Sequence, residues 1–173
     1  MGGGMYLARY FRHWWAEDRR KALDDAALQR LGRWIHDSEQ HHSGEIRICV
    51  EARLPTRYLL RPHAMLRITR ERAIAQFGKL RVWDTEDNNG VLIYLLLAER
   101  AIEIVADRGI CRHVHADVWL QITQTLSAHL QRGQYEEGLA QCLKQVDALL
   151  VRHFPVAPGS DNPNELPDMP HAC

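Results

Sequence analysis

Long hydrophobic runs are missing from this chain. The longest, Val91–Ala98, is far shorter than the roughly 20 apolar residues that cross a bilayer, so no membrane-spanning helix is expected. The opening MGGGMYLARYFRHWW has basic residues but lacks the apolar stretch of a secretory signal. Gly2 does not make a myristoylation signal either, because Tyr6 stands where that motif needs Ser or Thr. The four cysteines, Cys49, Cys111, Cys142 and Cys173, are widely spaced and include no CxxC pair. A disulfide scaffold is therefore not expected, and free thiols point to a reducing, cytoplasmic setting. Charge of one sign is also lacking, with 22 Lys and Arg against 22 Asp and Glu, which argues against a nucleic-acid partner. GxSxG, Walker, HExxH and kinase signatures are absent, and with them the familiar activated nucleophiles.

What is present suits a single domain with tails. Its 173 residues are 46% hydrophobic and 25% charged. The charge is uneven: residues 1–34 carry seven Arg or Lys against four acids, while 155–173 carry three acids and no Lys or Arg. The reading divides the chain into an amphipathic N-terminal segment over 1–20, an α/β domain over 21–154 and a disordered tail over 155–173. Five prolines, acids and no aliphatic stripe mark that tail. Within the first segment, residues 5–15 are expected to form a short helix with Leu7, Tyr10, Phe11 and Trp14 on one side. Aromatics beside arginine suit a peripheral membrane contact on the inner face; packing on its own domain or a partner chain is the alternative.

Helical spacing of Leu23, Ala27, Leu31, Trp34 and Ile35 predicts a helix over 24–41, opened by Asp24 and Asp25 and stopped by His-Ser-Gly. EIRICVEAR alternates cleanly, with Ile46, Ile48, Val50 and Ala52 on one side, so it reads as a strand with one wet or lightly covered face. Pro62 opens a further helix whose stripe includes Leu66, Ala73 and Phe77. VLIYLLL at 91–97 shows no alternation and must be covered on both faces, at the centre of a small mixed sheet. AIEIVA returns antiparallel after Ala98-Glu99-Arg100. Two closing helices follow, one from Asp117 to Gly133, the other repeating apolar residues from Tyr135 to His153. The smallest sheet satisfying a right-handed crossover is three-stranded, in an α/β/α sandwich.

That topology gathers carboxylates on one rim. Asp84, Glu86, Asp87 and Asn88 precede the central strand, Asp107 and Arg108 follow its hairpin partner, and Glu45 begins the parallel neighbour. Such a cluster shifts its own pKa values or recruits a cation, and Asp, Glu and Asn oxygens suit Ca²⁺, Mg²⁺ or Mn²⁺. The spacing is not that of an EF-hand, since Gly90 falls one place late and Leu95 stands where the final Glu belongs. The competing reading makes these residues turn and cap formers, with Asn-Asn-Gly supplying positive φ. Cys111, His113 and His115 alternate as zinc ligands can, without an evident fourth; His41-His42 is a loop pair of the same weak kind.

The motifs SGEIRICVE at 43–51, AQFGKL at 75–80, TEDNNGVLIYL at 85–95, IEIVADRGI at 102–110 and RGQYEEGL at 132–139 resemble the TPM domain family. That family takes its name from a thylakoid lumen protein, a photosystem II repair protein and a receptor-modulating membrane protein, and the likeness is to its bacterial type. The resemblance covers roughly 35–153. It implies an α/β/α sandwich and an acidic pocket at the sheet edge, where relatives bind divalent cations and weak acid phosphatase activity has been proposed. Carried over by position, the metal residues are Asp84, Asp87, Asn88 and Asp107, with Glu45 beside them. The expected function is an accessory or binding domain that takes up Ca²⁺ or Mg²⁺ and supports a membrane-associated complex through an unidentified protein partner. The alternative is a metal-dependent phosphatase in which Arg108 neutralises developing phosphoryl charge. A regulatory domain without chemistry is the third reading.

Overall fold

Asp24 opens the first helix by accepting the Ala27 amide at 2.6 Å, which satisfies one of the amides left unbonded at a helix start. The computed structural model describes residues 22–156 and 166–172. The expected membrane contact at 5–15, with Leu7, Tyr10, Phe11 and Trp14, lies outside the described residues, as do most of the tail before Leu166 and Cys173. Helix α1 spans Asp25–Ser38, and strand β1 runs over Ile46–Glu51. Two helices follow, α2 at Thr56–Leu59 and α3 at Met65–Lys79. Strand β2 (Val91–Leu96) turns through Leu97–Glu99 into β3 (Ala101–Ala106), with Arg100 taking the left-handed corner at φ 47. A single turn α4 (Arg108–Cys111), then α5 (Ala116–Gln131) and α6 (Tyr135–His153), complete the α/β domain.

The sheet is mixed, as expected: β1 is parallel to β2 and β3 is antiparallel to it. Its order is β3-β2-β1-β4, with four strands rather than three. The extra strand, β4 at His171–Ala172, comes from the segment expected to be structureless; it pairs parallel with Cys49 and Val50. Leu166 is buried there, and Met169 lies against Gly32 of α1. Leu166, Met169, an Asp168–His36 contact at 2.9 Å and two paired strand residues hold 166–172 down, a signal too small to rise above five prolines.

All six residues of β2 are fully buried, because helices cover both faces of the sheet. On one face Ile46, Ile48 and Val50 of β1 and Val91, Ile93 and Leu95 of β2 meet α1, α5 and α6. On the other, Cys49, Leu92, Tyr94, Leu96 and Val105 meet Tyr58, Leu59, Ile68 and Ala73 of α2 and α3. At about 1.5–3 kcal/mol for each fully buried large side chain, the central strand is a leading hydrophobic contribution.

On that second face one sequence expectation fails and another holds only in part. The alternating polar residues of β1 are not wet: Arg47 is 6% exposed and Glu51 is 3% exposed. Charges are tolerated inside when paired and hydrogen-bonded. Arg72 of α3 donates to both oxygens of Glu51, and the Tyr94 hydroxyl adds a 2.6 Å bond. The stripe expected for α3 holds at Ala73, which is buried, and at Phe77, which packs against this core, but Leu66 is 77% exposed while Ile68, Thr69, Arg72 and Gln76 face inward.

Candidate functional site

Strand register builds the rim. Ile46 is level with Val91, and Val91 with Ala106, so residues 43–45, 84–90 and 107–109 meet at one end of the sheet. The Glu45 carbonyl accepts the Val91 amide at 2.8 Å, and the Gly90 carbonyl accepts the Asp107 amide at 2.9 Å. The Asn88 carbonyl accepts the Gly109 amide at 2.8 Å. Gly109 permits this closeness, and Gly90 permits a second one to Val82, after α3. A Cβ on Gly109 would stand 2.1 Å from the Asp87 carbonyl oxygen, and one on Gly90 would stand 1.9 Å from that of Val82. The Asn-Asn-Gly and Asp-Arg-Gly motifs therefore lock to each other first of all. Asn88, at φ 53, takes the left-handed turn that asparagine tolerates.

Side chains continue the connection. Ser43 Oγ donates to Asp87 Oδ2 at 3.0 Å, and Asn89 Nδ2 donates to Ser43 Oγ at 3.1 Å. Arg108 Nε donates to Asn88 Oδ1 at 2.9 Å, so the cation lies within the acidic rim. Asp107 caps α4 by accepting the Arg108 amide through Oδ1 at 2.7 Å, while its Oδ2 is buried without a hydrogen-bond partner among the described residues. Asn89 Oδ1 is buried in the same state.

Asp87, Asn88, Asp107 and Arg108 are thus assembled on one rim, but Asp84 and Glu45 are turned elsewhere. Asp84 is exposed and faces Arg81 at 3.9 Å, within the turn after α3. Glu45 lends its backbone to the rim, whereas its side chain is buried near Glu39. Burial and the neighbouring Glu45 and Asp168 carboxylates push the Glu39 carboxyl up to about 9. Among the described residues no group of three or more His, Cys, Asp or Glu side chains is arranged to hold a metal ion. Ser43 and Asn89 are the rim residues that sequence reasoning missed; a serine three places before a strand carries no chemical signature until its partner Asp87 is in view.

The remaining candidates disperse. Cys111 Sγ donates to the Ala106 carbonyl at 3.4 Å, His113 stacks on His153 at 5.2 Å, and His115 accepts the Asp117 amide at the start of α5. His42 is fully buried, 3.5 Å from Asp147, and burial lowers its pKa to about 4. Among the described residues Cys49, Cys111 and Cys142 form no disulfide. No helix among the described residues is long and apolar enough to cross a membrane.

Comparison with known proteins agrees with this architecture. A solved structure titled as the BA42 protein of the psychrophilic bacterium Bizionia argentinensis matches with a TM-score of 0.71 and 25% identity. The match covers 87% of this chain and 95% of that one. No curated protein matches significantly. The family model described as the TPM domain matches residues 16–149. With its mixed sheet, flanking helices and interlocked Asn-Asn-Gly and Asp-Arg-Gly turns, this chain belongs to the TPM domain family.

Proposed function

We propose that the domain is an accessory binding module whose rim takes up a divalent cation, Ca²⁺ or Mg²⁺, through Asp87 and Asp107, in support of a membrane-associated complex. The observation behind this reading is Asp107 Oδ2, a buried carboxylate oxygen with no hydrogen-bond partner among the described residues. Such an oxygen is costly to bury unless something satisfies it, and a hard cation does so. The available donors are all oxygens, which fits Ca²⁺ or Mg²⁺ and not zinc. Two carboxylates are a small charge count, so water completes the coordination and the dissociation constant is about 10⁻⁴–10⁻³ M. Titration calorimetry with Ca²⁺, Mg²⁺ and Mn²⁺ tests this. Heat that saturates with the wild type and disappears in Asp87→Ala and Asp107→Asn is the expected result. No heat at about tenfold above the weaker limit removes the cation from the proposal.

A metal-dependent phosphatase is the second reading, favoured by the 3.0 Å bond from Ser43 Oγ to Asp87 Oδ2. A hydroxyl held on a carboxylate is an arrangement for nucleophilic attack with proton removal. A cation held by Asp107 would supply positive charge for a phosphoryl oxygen. Arg108 would add its own charge beside it. Phosphate release from p-nitrophenyl phosphate decides: turnover lost in Ser43→Ala supports an enzyme, and turnover unchanged in Ser43→Ala and Asp87→Ala excludes this arrangement.

A further inference from the structure

Net neutrality hides a strongly basic stretch. Residues 53–83 contain seven arginines and Lys79 against one acid, Glu71, in a chain whose formal net charge is +0. Part of that charge is spent internally, as Arg72 is buried on Glu51, and Arg70 pairs with Glu103 at 3.2 Å. Three of the others, Arg57, Arg61 and Arg67, lie where α2 meets the start of α3. Arg61 and Arg67 share Glu71, and Arg57 and Arg61 lie over the Tyr58 ring at 5.4 and 4.3 Å. Two arginines thus share a single carboxylate, and a third, Arg57, lies over the adjoining ring.

The same corner exposes aliphatic side chains that a core would take. Leu60 is 62% exposed and Leu66 is 77% exposed, each beside an arginine of the cluster. Ile74, 50% exposed, lies two turns beyond Leu66 on the same stripe of α3. Single exposed leucines are ordinary, but leucines interleaved with clustered arginine are the pattern of interfacial helices.

We propose that the α2–α3 corner is a peripheral docking surface for an anionic lipid bilayer, with Leu60 and Leu66 entering the interface and Arg57, Arg61 and Arg67 meeting the headgroups. Charge complementarity selects an anionic surface, and aliphatic rather than aromatic tips select lipid over nucleic acid. The corner's ring, Tyr58, is only 5% exposed beneath the arginines and offers no platform for stacking a base. Because α2 follows the end of β1 and the rim lies at its start, the corner is at the opposite end of the sheet. Docking therefore leaves the rim facing away from the membrane, and the proposal stands independently of what the rim binds.

The test is co-sedimentation of the full chain with phosphatidylcholine vesicles, pure or containing about one-third phosphatidylserine. A chelator is present throughout, so that no cation bridges the rim to lipid. Binding to the anionic vesicles alone, weakening as salt rises, is expected. Leu60→Asp/Leu66→Asp, and separately Arg57→Gln/Arg67→Gln, should each lower partitioning about tenfold with the thermal midpoint unchanged. Equal binding to neutral vesicles overturns the proposal. So does full binding by the Leu60→Asp/Leu66→Asp variant, which would move the contact elsewhere on the chain. Tighter binding to a labelled oligonucleotide than to the anionic vesicles overturns it in favour of nucleic acid.

Discussion

Arg72 reaches from α3 to Glu51 on β1 and grips both carboxylate oxygens, with Nη2 at 2.6 Å from Oε1 and Nε at 2.9 Å from Oε2. The pair is flanked by the Tyr94 hydroxyl and the Tyr58 ring, so the face of the sheet under α2 and α3 carries a charged network inside an apolar layer.

Breaking that pair from one side strands a charge. Arg72→Met is expected to cost about 3–5 kcal/mol in urea unfolding, since Glu51 then remains buried and uncompensated. Arg72→Met/Glu51→Gln removes the orphaned charge while leaving an oxygen for Tyr94, and recovers much of the loss. Equal destabilisation in the single and double variants would show that packing, not charge, dominates.

The glycines of the two locked turns separate from an ordinary one. Gly109→Ala places a methyl 2.1 Å from the Asp87 carbonyl oxygen, a contact relieved only by moving backbone. The expected loss is about 3 kcal/mol, at the upper end of overpacking effects. A Cβ on Gly78, in α3, meets nothing within 4 Å, so Gly78→Ala gains about 0.5–1 kcal/mol. Chemical denaturation of both variants measures the contrast.

Stability depends on pH through two buried groups of opposite sense. Glu39 titrates near 9 in the fold against an ordinary 4.5, so the native state holds a proton that the unfolded chain releases. Its stabilising effect is complete below about 4.5 and declines as pH rises toward 9. His42, lowered from 6.5 to about 4, does the reverse and costs stability as pH falls through that window. Thermal midpoints are therefore expected to decline from pH 6.5 to 9, and Glu39→Gln to flatten that decline. A slope unchanged in Glu39→Gln would assign it to other groups.

Much of this architecture is legible in the residues. VLIYLLL announces burial on two faces, and the hairpin following it returns Asp107 to the rim of Asp87 and Asn88. Legibility fails where a partner distant in sequence decides. Arg47 and Glu51 alternate like a wet face, but Arg72, 21 residues beyond Glu51, brings Glu51 into the interior. Glu45 joins the rim by backbone only, because its side chain settles near Glu39. Leu66 fits a helical stripe as well as Ile68 does, and only the packed helix shows which of them the core receives. Leu166 and a strand of two residues leave too faint a trace among prolines to predict the return of the chain to β1.

Strand β3 ends the sheet on one side, and Arg70 donates to its Ile104 carbonyl at 2.8 Å while holding Glu103. A foreign strand seeking to extend the sheet there must first evict a guanidinium from the peptide group it would pair with. Such an obstacle disfavours edge-to-edge pairing along this flank.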